Sequence, residues 1–139
     1  PFKCTNWPDK IIDIKCGYNH TLVLTSNQEV FTCGNNEYGQ LGRQTDGDYD
    51  STLTKVESLR DITRISCGEN HSLCIDTNNN LYVFGYTLDG QLGVGSTDDV
   101  LLPIIHPSLS NIIDFSIGGN HTFVKTSNNE IYAFGNNEG

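Results

Sequence analysis

Apolar and polar residues alternate over short stretches of this chain, and no segment shows the three-to-four spacing of a helical face. Ile12, Ile14 and Cys16 share one parity, as do Ile65 and Cys67 with Thr63 ahead of them, and then Ile113, Phe115 and Ile117. A period of two lines one face of a β-strand. Each run is followed by a second apolar or β-branched one, His20 to Thr25, His71 to Asp76 and His121 to Thr126, and by a third that ends at Gly34, Gly85 or Gly135. The S-N-Q, T-N-N and S-N-N stretches between the second and third runs predict hairpins. A fourth, weaker strand is expected near Thr54 to Val56 and again near Pro103 to Ile105, while Pro1 to Cys4 reads as the end of an earlier unit.

These runs belong to a repeat. The phrase G-x-N-H-[ST] begins at Gly17, Gly68 and Gly118, spaced 51 and then 50 residues apart, and His20, His71 and His121 keep the spacing. Gly39, Gln40, Leu41 and Gly42 return as Gly90, Gln91, Leu92 and Gly93. Self-similarity at this period means stacked supersecondary units. The expected fold is therefore all-β, built of β-propeller blades of four antiparallel strands, since radial stacking covers the faces and protects the edges of such sheets. A linear β-solenoid is the alternative, although its coils are usually shorter. The expected division is 1–10 for the end of a preceding repeat, 11–61 and 62–111 for two repeats, and 112–139 for a truncated one. About two and a half units make an open arc, which predicts either further chain or self-association.

Composition narrows the function classes. A formal charge of −9, with only eight Lys and Arg scattered along 139 residues, disfavours direct nucleic-acid binding, which needs clustered cations. No apolar run is long enough to span a membrane as a helix, and no export segment is visible at the start of the sequence. The five cysteines form no C-x-x-C pair and several occupy strand positions where sister repeats carry Ile, Phe or Val, so they are expected to be reduced, buried and intracellular.

Several residues invite chemistry. The three repeat histidines sit at equivalent positions in separate units, too dispersed for one metal or one relay, and are expected to be structural together with Gly17, Gly68 and Gly118. The G-Q-L-G glycines lack the G-K-[ST] ending of a phosphate loop and read as positive-φ turns. The three N-H-[ST] triplets match a glycosylation acceptor but are explained by the repeat itself. Asp46, Asp48, Asp50 and Glu57 occupy positions one, three, five and twelve of a calcium-loop spacing, yet Ser51 stands where the loop needs glycine, so a solvated acidic loop is expected. His106 reads as an inter-repeat loop residue and Trp7 as a packing residue. No hydrolase triad, metal cluster or cofactor motif is present in the sequence, so covalent catalysis is not expected.

The order G-x-N-H-[ST], polar hairpin, a strand ending in F-G or C-G, then N-x-x-G-Q-L-G resembles the regulator of chromosome condensation repeat over essentially the whole chain. That resemblance implies a seven-bladed propeller, of which this chain would be a third to a half. It also implies an interaction platform, with Tyr18, Asn19, Glu69, Asn70, Gly119 and Asn120 on one candidate rim and Glu37, Tyr38, Leu88 and Asp89 on loops beside it. The expected partner is a protein. The alternative is guanine-nucleotide exchange on a small Ran-like GTPase, a function that in the family's founding member uses acidic or imidazole side chains just before the repeat histidine. Here those positions are Asn19, Asn70 and Asn120, which keep hydrogen bonding but lack the charge.

Overall fold

The computed structural model describes residues 10–88, 90–95 and 98–135. The calls on Pro1 to Cys4, Trp7, Asp89 and Gly139 lie outside these residues. Eleven strands in the described residues form three antiparallel sheets, with no helix among them. The first sheet is β1 (Ile11–Cys16), β2 (His20–Thr25), β3 (Val30–Asn35) and β4 (Tyr49–Lys55), hydrogen-bonded in that order. The second repeats it with β5 (Ile62–Cys67), β6 (His71–Asp76), β7 (Leu81–Gly85) and β8 (Val100–Ile105). The third contains β9 (Ile112–Ile117), β10 (His121–Thr126) and β11 (Ile131–Gly135). Each sheet is an up-and-down meander, and the inner strands β1, β5 and β9 approach one another from blade to blade.

Local chemistry sets the turns. The β2–β3, β6–β7 and β10–β11 hairpins place Gln28, Asn79 and Asn129 in the left-handed region, with φ of 62°, 62° and 66°. Asn tolerates that region better than other L-residues, which is why two of the three positions carry it. The left-handed turn also points the carbonyls of Gln28 and Asn79 at the next blade, where they accept from Ile62 N and Ile112 N, each at 3.0 Å.

Two apolar cores lie between consecutive sheets. Leu22, Leu24 and Val30 of the first blade pack on Ile62, Ile65, Cys74 and Phe84 of the second. Leu73, Leu81 and Val83 on the other side of the second blade pack on Ile112 and Val124 of the third. The central blade is thus covered on both faces, and all six residues of β6 are buried. Strand β10 keeps the one-sided alternation of a half-covered sheet.

Not every apolar stripe is covered. Ile14 and Ile65 are equivalent positions, yet Ile65 is 2% exposed in the first core while Ile14 is 54% exposed, because among the described residues no sheet covers that face of β1. The cysteine expectation needs the same correction. Cys74 is buried, Cys33 and Cys67 are intermediate, and Cys16, at the end of β1, is exposed. All four are free thiols, and burial pushes Cys67 up to about 12. His106 follows β8 in the loop between repeats and is buried there. Its buried ring accepts from Ser108 N and Leu109 N through Nδ1 at 3.2 and 3.1 Å and donates from Nε2 to Gly93 O at 3.0 Å, so it clasps two loops.

Candidate functional site: the axial mouth and its inter-blade relay

The repeated G-x-N-H turns all fall at one end of the blades, between an inner strand and the strand after it. Each closes with the glycine N–H donating to the histidine carbonyl, at 2.8, 2.9 and 3.1 Å in the three units. The first glycine is not there for positive φ, which none of the three adopts. Gly17 and Gly68 are small because the imidazole of their own turn folds back over them, and a Cβ at either would overlap the ring. The G-Q-L-G glycines are the ones with positive φ, 85° and 68° at Gly39 and Gly42 and 79° and 63° at Gly90 and Gly93.

From that position each ring reaches into the next blade. His20 Nε2 lies 3.0 Å from Ser72 Oγ, and the Ser72 hydroxyl donates onward to Gln40 O at 2.8 Å. The unit recurs as His71 Nε2 to Thr122 Oγ1 at 3.0 Å and Thr122 Oγ1 to Gln91 O at 2.8 Å. Because the hydroxyl spends its proton on a carbonyl, it accepts from Nε2–H, which fixes the neutral tautomer with the proton on Nε2. Nδ1 of both rings faces no hydrogen-bond partner among the described residues. Burial depresses both histidines to about 4, so they are uncharged at neutral pH. His, the hydroxyl that follows the next His, and the Gln carbonyl therefore form one device that ties neighbouring blades.

The backbone completes the frame. Tyr18 N donates to Glu69 O at 2.9 Å and Glu69 N donates to Gly119 O at 3.0 Å, so the three turns are linked in series around a shallow mouth of 300 Å³ lined by Tyr18, Glu69 and Gly119 among others. Tyr18 is 74% exposed, Glu69 is exposed, and the Glu69 carboxyl leans over Gly119, where a side chain would crowd it. Asn19 is exposed, whereas Asn70 and Asn120 are half-buried. The carbonyls of Asn19 and Asn70 accept from Asn35 N and Tyr86 N at 2.7 and 2.9 Å, and the Asn120 side chain accepts from Gln91 Nε2 at 3.3 Å. The loop after β3 rises at the same end, so Glu37 and Tyr38 flank the mouth on its outer side. Tyr38 packs against Tyr86 of the next blade in a tilted arrangement, with ring centroids 4.8 Å apart and planes at 59°, and Leu88 is exposed.

The acidic segment takes a different shape from an ion-binding loop. Tyr49–Lys55 is strand β4, which carries Glu57 away from Asp46 and Asp48. Asp50 is bound by Arg43 at 2.9 Å, and backbone donation from Thr52, then the Arg43 guanidinium, hold its carboxyl below the usual range. Among the described residues no group of three or more His, Cys, Asp or Glu side chains is placed to hold a metal. The sequence reading missed the roles of Ser72 and Thr122. The signal was present in the [ST] that follows every repeat histidine, but its partner stands 52 or 51 residues away.

Meander sheets stacked through their faces, with inner strands side by side and variable loops gathered at one end, define part of a β-propeller. The chain belongs to the regulator of chromosome condensation (RCC1) repeat family, whose models match residues 11–40, 62–91 and 112–138, and 27–75 and 78–124. It is 35% identical over 91 residues to the human RCC1-like G exchanging factor-like protein, covering 62% of this chain and 20% of that protein. It is 38% identical over 96 residues to the human probable E3 ubiquitin-protein ligase HERC3, covering 68% of this chain and 9% of that protein. Yeast RCC1 (Prp20), solved bound to Kap60, superposes with a TM-score of 0.82 at 25% identity, covering 95% of this chain and 31% of that one. The chain therefore spans a third or less of the length of these relatives. No helix in the described residues is long and apolar enough to cross a membrane.

Proposed function

We propose that this chain is a protein-interaction module that engages a protein partner through the mouth formed by Tyr18, Glu69 and Gly119, with Asn19, Asn70 and Asn120 beneath them and Glu37, Tyr38 and Leu88 on the outer loops. The observation that carries this reading is the contrast within the repeat. His, hydroxyl and Gln carbonyl recur and are spent on joining blades, whereas the residue after each first glycine is Tyr, Glu or Gly, is exposed, and sits on a backbone tied to its neighbours. Different side chains on one rigid frame are what a binding surface needs. Kap60 bound to yeast RCC1 supports the idea that such a scaffold takes protein partners.

Guanine-nucleotide exchange on a small GTPase is the second reading, favoured by the name of the human G exchanging factor-like relative. The absence of charge at Asn19, Asn70 and Asn120 weighs against it. The two are separated by following release of labelled GDP from a panel of small GTPases. Acceleration by substoichiometric chain would establish exchange and overturn a pure scaffold. A stoichiometric complex without acceleration, lost in Tyr18→Ala plus Glu69→Lys, is the expected result.

A further inference from the structure

Outward from the mouth, the loop between β3 and β4 and the outer strand β8 of the next blade enclose a groove of 660 Å³. One wall is acidic. Glu37, Asp46 and Asp48 line it, all three are exposed, and none takes part in an ion pair found among the described residues. Arg43, the single cation lining the groove among the described residues, is spent. It pairs with Asp50 and donates to the carbonyls of Thr32 and Thr52 at 2.8 and 3.3 Å. The other wall is apolar. Leu101 and Leu102 are 59% and 51% exposed at the start of β8, whose sequence VLLPII stands where the first blade has the polar YDSTLTK.

The groove is held open by its own framework. Asn36 Nδ2 donates to Arg43 O at 2.8 Å while Asn36 Oδ1 accepts from Leu41 N at 3.0 Å, so the acidic loop is braced from within. Gly39 lies so close to the backbone of Val100 and Leu101 that any side chain there would strike it, which sets the distance between the walls. Strand β8 ends its sheet and has no strand on its far side among the described residues.

We propose that this groove docks a short extended segment of a partner protein in which Lys or Arg alternates with Leu, Ile or Val. An extended chain directs successive side chains to opposite sides. One set covers Leu101 and Leu102, and the other meets Glu37, Asp46 and Asp48. An acidic segment is repelled by the loop, a basic but polar one leaves the leucines wet, and nucleic acid or an anionic membrane meets like charge. The groove and the axial mouth meet only at Glu37, and the variants below leave Glu37 in place, so failure of one proposal is distinguishable from failure of the other.

The test uses fluorescence anisotropy at physiological salt with three labelled octapeptides, made of Lys-Val, Lys-Ser and Glu-Val repeats. The Lys-Val peptide should bind saturably and the other two about tenfold or more weakly. Leu101→Ser with Leu102→Ser should weaken Lys-Val binding about tenfold without shifting the unfolding midpoint, since both side chains are exposed. Asp46→Asn with Asp48→Asn should weaken it several-fold and flatten its salt dependence. Glu57→Gln with Asp61→Asn, the same change of net charge at the opposite end of the blades, should leave it unchanged, as should Tyr18→Ala with Glu69→Ala. Equal loss in the two acidic pairs would reduce the effect to bulk charge and overturn the proposal. So would undiminished binding by the leucine variant, or failure of the Lys-Val peptide to saturate.

Discussion

Replacing Ser72 with alanine removes one oxygen and two hydrogen bonds that join separate blades. The hydroxyl accepts from His20 Nε2–H at 3.0 Å and donates to Gln40 O at 2.8 Å, and all three residues are buried. Alanine offers neither an acceptor for His20 Nε2–H nor a donor for Gln40 O, and the space left by a single oxygen is too small to hold a water bonded to both. Leaving a buried donor or acceptor unpaired costs about 1 to 3 kcal/mol. Two such losses set the expected destabilisation at about 2 to 5 kcal/mol, with the stranded N–H contributing more than the carbonyl, which is the better tolerated orphan. Urea unfolding at pH 8, where the rings are neutral in both folded and unfolded chains, reads this as a lower midpoint at unchanged slope. Ser26→Ala, at an exposed serine, provides the comparison and should stay within about 0.5 kcal/mol. The pairing is isolated by a double-mutant cycle with His20→Ala, whose coupling energy should fall between about 0.5 and 3 kcal/mol. A Ser72→Ala midpoint matching that of Ser26→Ala, or strict additivity in the cycle, would refute the relay.

Three further outcomes follow from the same geometry. Stability should be full above pH 6.5 and decline as pH falls toward 4, because His20 and His71 are depressed to about 4 when folded and the unfolded chain alone takes up protons in that window; the loss is about 2 kcal/mol per ring at pH 5, and ring NMR showing either one titrating near 6.5 in the folded protein would contradict it. Gly68→Ala should cost about 1 to 3 kcal/mol in thermal or urea unfolding by expelling the His71 ring, whereas Gly118→Ala, with open space and ordinary φ, should stay within about 0.5 kcal/mol. Gln28→Asn should raise stability by about 0.5 kcal/mol, since the residue sits at φ 62° where the sister hairpins carry Asn, and an unchanged or lower midpoint would show that its side chain matters more than its backbone.

What the chain alone made legible was everything governed by near neighbours. Strand after strand could be read from alternation, the hairpins from their Asn and Gln residues, and the blade from a period of about fifty, because these signals act within a few residues and are copied from unit to unit. Tertiary structure decided what lies between blades. Ile14 and Ile65 carry the same local pattern, yet one is wet and the other buried, because exposure depends on whether a neighbouring sheet arrives to cover the face. His20 and Ser72 look like unrelated members of two copies, and only the stacking of sheets brings an imidazole 3.0 Å from a hydroxyl 52 residues on. The acidic loop and the leucines of β8 are likewise ordinary surface residues until the first blade lies against the second and makes them the two walls of one groove. Contacts between distant segments leave no periodic trace in either segment, so they become visible only once the packing is known.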